Sequence, residues 1–419
     1  MAEEYRPSPN VPAPPWDESI GPSARITRVR SFLTAPEGVT LVVVKVETDV
    51  DGLYGLGCAT FTHRAYAVRT AIDEYAGPLV IGRDASDISD IAEGLRLDSY
   101  WRGGPVLNSA LSGIDMALWD IAGKLAGMPV WRMLGGRTRS VVPAYTHAYG
   151  ADAAQLADEV GRAVADGYRF VRCQVEVPGS VTYGAAPSGN STTWDAEAYL
   201  RLVPDVLAGV RTHVGDEVEL LHDAHERHTP QQATRLASDV APARLFFLED
   251  PIAPEDADWL PEIRQASTTP IAFGELLTDQ SQYVPLVANR HIDFIRCHLS
   301  AIGGLTPGWR LAALCEAFGV RTAWHGPRDV SPVGHAANVA LDVASPAFGV
   351  QEHHEFGPQA REVFPGTIAT QAGVIHPPEA PGIGVDFDES AAARFPPVPA
   401  LSNWHYARVR RPDGSIQRP

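Results

Sequence analysis

Eight short apolar runs, each followed by a stretch of helical periodicity, occupy residues 141–388. They read SVVPAYTHA, RFVRCQVE, ELLHDAH, RLFFLEDP, IAFGELLT, FIRCHLS, RTAWHG and FGVQEHH. Such alternation builds a parallel sheet, because parallel strands need long crossovers and helices supply them. Eight repeats over a span close to the ~250 residues of a (β/α)8 barrel predict an α/β chain whose sheet closes into a TIM barrel. Most runs end in a polar side chain: His147, Gln174, Asp223 with His225, Glu249, Glu275, His298, His325 and Glu352. The carboxyl ends of barrel strands share one mouth, where active sites form. One polar strand end is ordinary. Eight in phase predict a site.

The flanking segments have other patterns. Residues 1–23 are Pro-rich and read as a tail. From 24 to about 62 the pattern alternates, with Asp51-Gly52 as a hairpin turn. From 65 to 134 it takes the 3.6-residue period, as in SALSGIDMALWDIAGKLAG. An α+β capping domain is therefore predicted over 24–140, ahead of the barrel at 141–388. The segment 389–419 lacks barrel pattern and is expected to return to the cap or the barrel mouth. A second irregularity is 176–194, too long and too rich in Gly, Ser and Pro for a βα connection; it carries Tyr183.

Composition excludes several functions. With 34 basic and 51 acidic residues the formal charge is −17, which disfavours nucleic acid and anionic lipid surfaces. Only Lys45 and Lys124 are lysines, and GxxxxGK[ST] is absent, so Schiff-base, pyridoxal, P-loop and kinase chemistries lack their lysine. Cys58, Cys173, Cys297 and Cys315 are scattered without metal-type spacing, which suggests a reducing compartment. Neither a signal peptide nor a bilayer-long apolar run is legible, so a cytoplasmic protein without a membrane partner is expected.

Asp223, Glu249 and Glu275 are spaced by 26 residues each, one βα repeat. They should stand at equal height on strands three, four and five, about 4.8 Å apart. Three carboxylates that close repel unless a cation or the barrel arginines neutralise them. All-oxygen ligands without thiolates select Mg²⁺. A dication holding a substrate carboxylate stabilises the dianion formed when a base removes the neighbouring C–H proton. Reprotonation at carbon gives epimerisation or racemisation; protonation of a β-hydroxyl expels water.

The phrases ALSGIDMALWDIAGKLAGMPVWRMLGG, HDAHERHTP, LEDP, FGE, AIGG and HGP, in this order, resemble the enolase superfamily (mandelate racemase/muconate lactonizing enzyme-like), and within it the mannonate dehydratase branch. The resemblance covers about 25–410. It implies a cap, a modified (β/α)8 barrel, a homo-oligomer, and Mg²⁺-dependent dehydration of an acid sugar, an aldonate such as D-mannonate or D-gluconate, to a 2-keto-3-deoxy acid. It assigns the metal to Asp223, Glu249 and Glu275, the base to Tyr183 lowered by Arg172, and the acid for hydroxide departure to His225. His147, Arg296, His325, Asp329 and Glu352 match substrate-binding positions, and His325 is an alternative base. Some positions depart from the branch: Glu37 for asparagine, Cys58 for aspartate, and a chain end reading DGSIQRP, with Trp404 elsewhere. Glu37 would set a carboxylate beside an acid sugar, an unfavourable pairing. The rival readings are an epimerase or racemase using His325, and a low-activity or non-catalytic binding homologue.

Overall fold

The computed structural model describes residues 23–180, 193–399 and 409–417. Tyr183 and Trp404 lie outside the described residues. The alternating N-terminal runs form an antiparallel meander of β1 (Ile26–Thr34), β2 (Leu41–Thr48) and β3 (Tyr54–Cys58). Gly52, at φ 71°, makes the turn between β2 and β3 in the left-handed region that glycine adopts without strain. The predicted long helix runs Pro105–Ala126 and packs against β2 and β3. It is buried on more than one face because the barrel covers its other side: Trp119 Nε1 donates to Thr306 Oγ1 (2.9 Å), and Asn108 Nδ2 to the carbonyls of Thr278 and Ala301. The helix sits so close to β3 that a Cβ on Gly57 would stand 1.9 Å from the Gly113 carbonyl oxygen. Both lysines are structural here. Lys45 and Lys124 flank the Tyr54 ring and pair with Glu389 and Asp120.

Eight parallel strands form the barrel: β4 (Val142–Gly150), β5 (Phe170–Val175), β6 (Glu219–Asp223), β7 (Phe247–Glu249), β8 (Ile271–Phe273), β9 (Phe294–Ile295), β10 (Arg321–Thr322) and β11 (Gln351–Glu352). Neighbours pair from β4 through β10, β11 pairs with β4, and a bridge from Thr322 to Phe348 closes the ring. Helices connect consecutive strands as far as β11. After β11 come only the short helix Pro358–Val363 and a hairpin, β12 (Thr370–Gln371) and β13 (Val374–Ile375), which pairs antiparallel with the start of β4. The barrel is modified in that respect. Tyr145, Leu221, Phe247, Ala272, Phe294, Ala323 and Val350 fill its interior, forming an apolar plug on which the polar mouth rests.

Two segments tie the mouth to the rest of the chain. Glu389 pairs with Arg30 and Lys45 of the cap sheet, and the Phe395 carbonyl accepts from Ala35 N. Residues 409–417 lie against the barrel: Trp194 N donates to the Arg410 carbonyl, and Gln417 Nε2 to that of Arg227. All four cysteines are free and buried. Among the described residues no helix is long and apolar enough to cross a membrane.

Candidate active site

Asp223 and Glu249 are register partners at the ends of β6 and β7, at equal height as the spacing predicts. Glu275 differs. Its strand ends at Phe273, and Gly274, at φ 128°, turns the chain so that Glu275 stands in the loop above β8. The carboxylates still converge, with one oxygen of each lying within 4.8 Å of the others. The backbone beside them is strained: His225 (φ 50°), Glu226 (φ 64°) and Asp250 (φ 39°) all sit at positive φ without being glycine. Such residues cost of order 1–3 kcal/mol each and cluster where function holds them.

Arginines do part of the neutralising. Arg172, on β5, donates from Nη1 to Asp223 Oδ2 at 2.9 Å and lies 3.6 Å from Glu352 and 3.8 Å from Glu249. Arg296 donates from Nε to Glu249 Oε1 at 2.5 Å and from Nη2 to Glu352 Oε2 at 2.8 Å. Four carboxylates, Asp223, Glu249, Glu275 and Glu352, thus face only these two guanidiniums. Glu249 Oε2 is buried with no hydrogen-bond partner among the described residues. Burial pushes the Glu249 carboxyl up to about 8 despite Arg296. Burial would also raise Asp223, but His225 and Arg172 hold it well below the usual carboxylate range. An all-oxygen cluster with more carboxylates than arginines and an orphaned oxygen fits a hard divalent cation.

The histidines stand around this cluster. His225 Nε2 lies 3.0 Å from Asp223 Oδ2, and the His225 backbone N–H donates to Asp223 Oδ1. His325 Nε2 lies 3.1 Å from Glu275 Oε2. Burial disfavours the His325 cation, yet Glu275 raises the imidazole to about 9. His147 Nε2 lies 3.2 Å from Glu352 Oε1, and burial with the nearby Arg172 lowers it to about 4. Asp329, in the loop beyond β10, is raised by burial, partly offset by His325.

Arg296 is placed otherwise than direct contact with a substrate would require. It is wholly buried, and its Nη1 also donates to the Ala323 and Trp324 carbonyls. Glu352, equally buried, accepts from Arg296 and from Gly326 N. The pair braces Glu249 from beneath. Glu37 also differs from the expectation of an unpaired charge. Its carboxylate accepts from Gly357 N (2.5 Å) and lies 3.0 Å from His354 Nε2, so the cap loop is tied to the barrel and its charge is engaged. Cys58 is buried at the junction of helix, cap and barrel; its carbonyl accepts from Ser112 and Ser300.

Two residues escaped sequence reasoning. Glu226 and Asp250 form a second acidic group with Glu275, and burial together with the Glu275 charge raises both carboxyls well above the usual range. Their signal was present in HDAHE and LEDP, where a second acid follows each ligand. His298, one of the expected polar strand ends, places Nδ1 2.9 Å from His325 Nδ1.

A closed parallel barrel, a capping sheet and three carboxylates converging from the ends of consecutive strands define an enolase-type protein. Residues 155–391 match the family described as enolase C-terminal domain-like, and 25–135 match the mandelate racemase/muconate lactonizing enzyme N-terminal domain. A D-galactonate dehydratase family member from Catenulispora acidiphila is 52% identical over 413 residues, covering 97% of this chain and 96% of the relative. Another from Pantoea ananatis is 46% identical over 94% of this chain and 99% of its own. The chain belongs to the enolase superfamily and, within it, to the D-galactonate dehydratase family. The crystal structure of an enolase from Pantoea ananatis with bound D-gluconate and Mg superposes with a TM-score of 0.89 at 45% identity, over 94% of this chain and all of that one.

Proposed function

We propose that this protein is an Mg²⁺-dependent hydro-lyase converting an acid sugar to a 2-keto-3-deoxy acid. The observation that carries the reading is the convergence of Asp223, Glu249 and Glu275 at the barrel mouth with an orphaned Glu249 oxygen. The relatives' name and the D-gluconate and Mg in the Pantoea structure support an aldonate substrate. D-Mannonate and D-gluconate are our first candidates, and the mannonate dehydratase branch goes with that choice.

Asp223, Glu249 and Glu275 would hold Mg²⁺, whose positive charge stabilises the dianion of the ionised substrate. Tyr183, as phenolate favoured by the Arg172 cation, takes the proton α to the carboxylate. His225 gives a proton to the departing β-hydroxyl, the C–O bond breaks, water leaves and the enol becomes the keto acid. His147, Asp329 and His325 face the substrate, while Arg296 and Glu352 hold the ligands. Alternatively, His325 serves as the base of an epimerase or racemase; its Nε2 beside Glu275 favours that rival. A binding protein without useful turnover is the third reading.

The same reading divides the chain into a 1–23 tail, a cap at 24–140, a barrel at 141–388 and a returning segment at 389–419. It takes the protein as a cytoplasmic homo-oligomer, supported by four free thiols. A screen of acid sugars with Mg²⁺, scored by 2-keto-3-deoxy product, tests it. Solvent deuterium entering recovered substrate without keto acid would favour the epimerase. Ligand-induced thermal shifts without turnover across the library would make it a binding protein.

A further inference from the structure

Gln174 is one of the polar strand ends, and the catalytic scheme gives it no part. Along β5, Phe170, Arg172 and Gln174 alternate with Val171, Cys173 and Val175, which lie in the main core. The pleat therefore turns Gln174 inward, one layer above Arg172. Its side chain is buried, and Nε2 has no hydrogen-bond partner among the described residues. Trp194 is alike: buried, with its Nε1 donor unpartnered among the described residues. A buried donor without an acceptor destabilises a fold unless a ligand or a water completes it.

Both residues line one cavity, together with Asp223, His225, Arg227 and Tyr199. Its volume is about 10 Å³, the room that one water or hydroxyl oxygen needs. The Tyr199 hydroxyl is engaged elsewhere: His222 Nδ1 donates to the Cys173 carbonyl (2.7 Å), so His222 Nε2 accepts from Tyr199 (2.6 Å). Asp223 and His225 belong also to the catalytic cluster, so the cavity adjoins the place where the β-hydroxyl departs. The Trp194 ring is held firmly, its centroid 5.0 Å from that of Tyr199 and 5.5 Å from that of His228, with the Arg227 guanidinium 5.2 Å away. Its backbone N–H donates to the Arg410 carbonyl (2.7 Å). Arg296, equally buried, has donors committed to carboxylates and carbonyls; Gln174 Nε2 and Trp194 Nε1 are not so committed.

We infer that Gln174 and Trp194 form the leaving-group pocket of the dehydration: Gln174 Nε2 and Trp194 Nε1 donate hydrogen bonds to the β-oxygen of the acid sugar as it departs. This rests on the hydro-lyase reading and deepens it. When the α proton has gone to the base, the electron pair left behind forms the double bond to the β-carbon. The pair of the β C–O bond goes to the oxygen, which takes the His225 proton and leaves as water. Gln174 and Trp194 lose no proton. They stabilise the negative charge that grows on the oxygen as the bond breaks, and they are in place beforehand. Because both donors stand on the His225 side, the pocket selects the β-carbon configuration that turns its hydroxyl toward them.

Removing each donor while keeping its bulk isolates this step. In the full, Mg²⁺-loaded chain, Gln174→Met and Trp194→Phe should each lower kcat for keto-acid formation on the order of 10²-fold, the scale of one missing donor to a developing oxyanion. The Mg²⁺-dependent Tm shift should stay as in the wild type. Loss of the α proton precedes loss of the oxygen, so the variants should still exchange that proton in D2O. Deuterium entering recovered substrate, relative to keto acid formed, should rise on the order of tenfold or more over the wild type. Variants that lose exchange and keto acid in equal measure would place these residues in proton abstraction or in folding. Variants as fast as the wild type would make the cavity a structural water site only. Either result overturns the inference while the hydro-lyase reading stands. A wild type that forms keto acid from no acid sugar overturns that reading, and the inference with it.

Discussion

Replacing Glu249 by Gln should change how the metal-free protein responds to pH. Glu249 is wholly buried, and its carboxyl rises from an ordinary 4.5 to about 8. The folded state therefore prefers the protonated form, a preference whose stabilising effect is complete below pH 4.5 and lost as pH rises through 8. Integrated from pH 5 to pH 8, the loss is roughly 3 to 4 kcal/mol. At ~2.1 cal/mol/K of unfolding entropy per residue, a chain of 419 residues shifts by ~1 °C for each kcal/mol. In EDTA, calorimetric Tm values should show the wild type losing about 4 °C relative to Glu249→Gln between pH 5 and 8. Saturating Mg²⁺ should cancel this loss, since the dication favours the ionised carboxylate, while the Gln variant should gain little from the metal. A wild type and variant whose Tm values run parallel across pH in EDTA would refute the claim that the arginines leave this site short of positive charge.

Three other outcomes follow from the same geometry. Tyr183→Phe should cut turnover at least 10²-fold on a confirmed acid sugar while leaving the Mg²⁺-dependent Tm shift intact, and full activity would remove Tyr183 as the base. His225→Asn should lower kcat by about 10²–10⁴-fold with little change in KM; a pure KM effect would assign His225 to substrate binding instead. Gly57→Ala, placing a Cβ 1.9 Å from the Gly113 carbonyl oxygen, should destabilise the cap by about 1–3 kcal/mol, and an unchanged Tm would contradict the helix–sheet approach described.

The barrel and the acidic cluster at its mouth were both legible in the sequence. Periodicity switching between two and 3.6 residues marks strands and helices, and the two 26-residue intervals between Asp223, Glu249 and Glu275 put those acids at the ends of successive strands. Both signals are local or repeat with the chain, so a linear reading captures them. The branch of the superfamily was read from motifs, and the acid/base roles of Tyr183 and His225 still await measurement.

Tertiary structure alone decided which partners those side chains meet. Whether Arg296 reaches a substrate or braces Glu249 and Glu352 depends on burial that no spacing encodes. Glu37 reads as an unfavourable charge until its contact with His354 and Gly357, more than 300 residues away, shows its charge engaged. His298 reads as one polar strand end among several until closure of the barrel sets its Nδ1 2.9 Å from that of His325. Hydrogen-bond roles and charge balance arise from groups assembled through closure of the barrel and docking of the cap. They belong to the packed molecule because the directions and distances that set them exist only there.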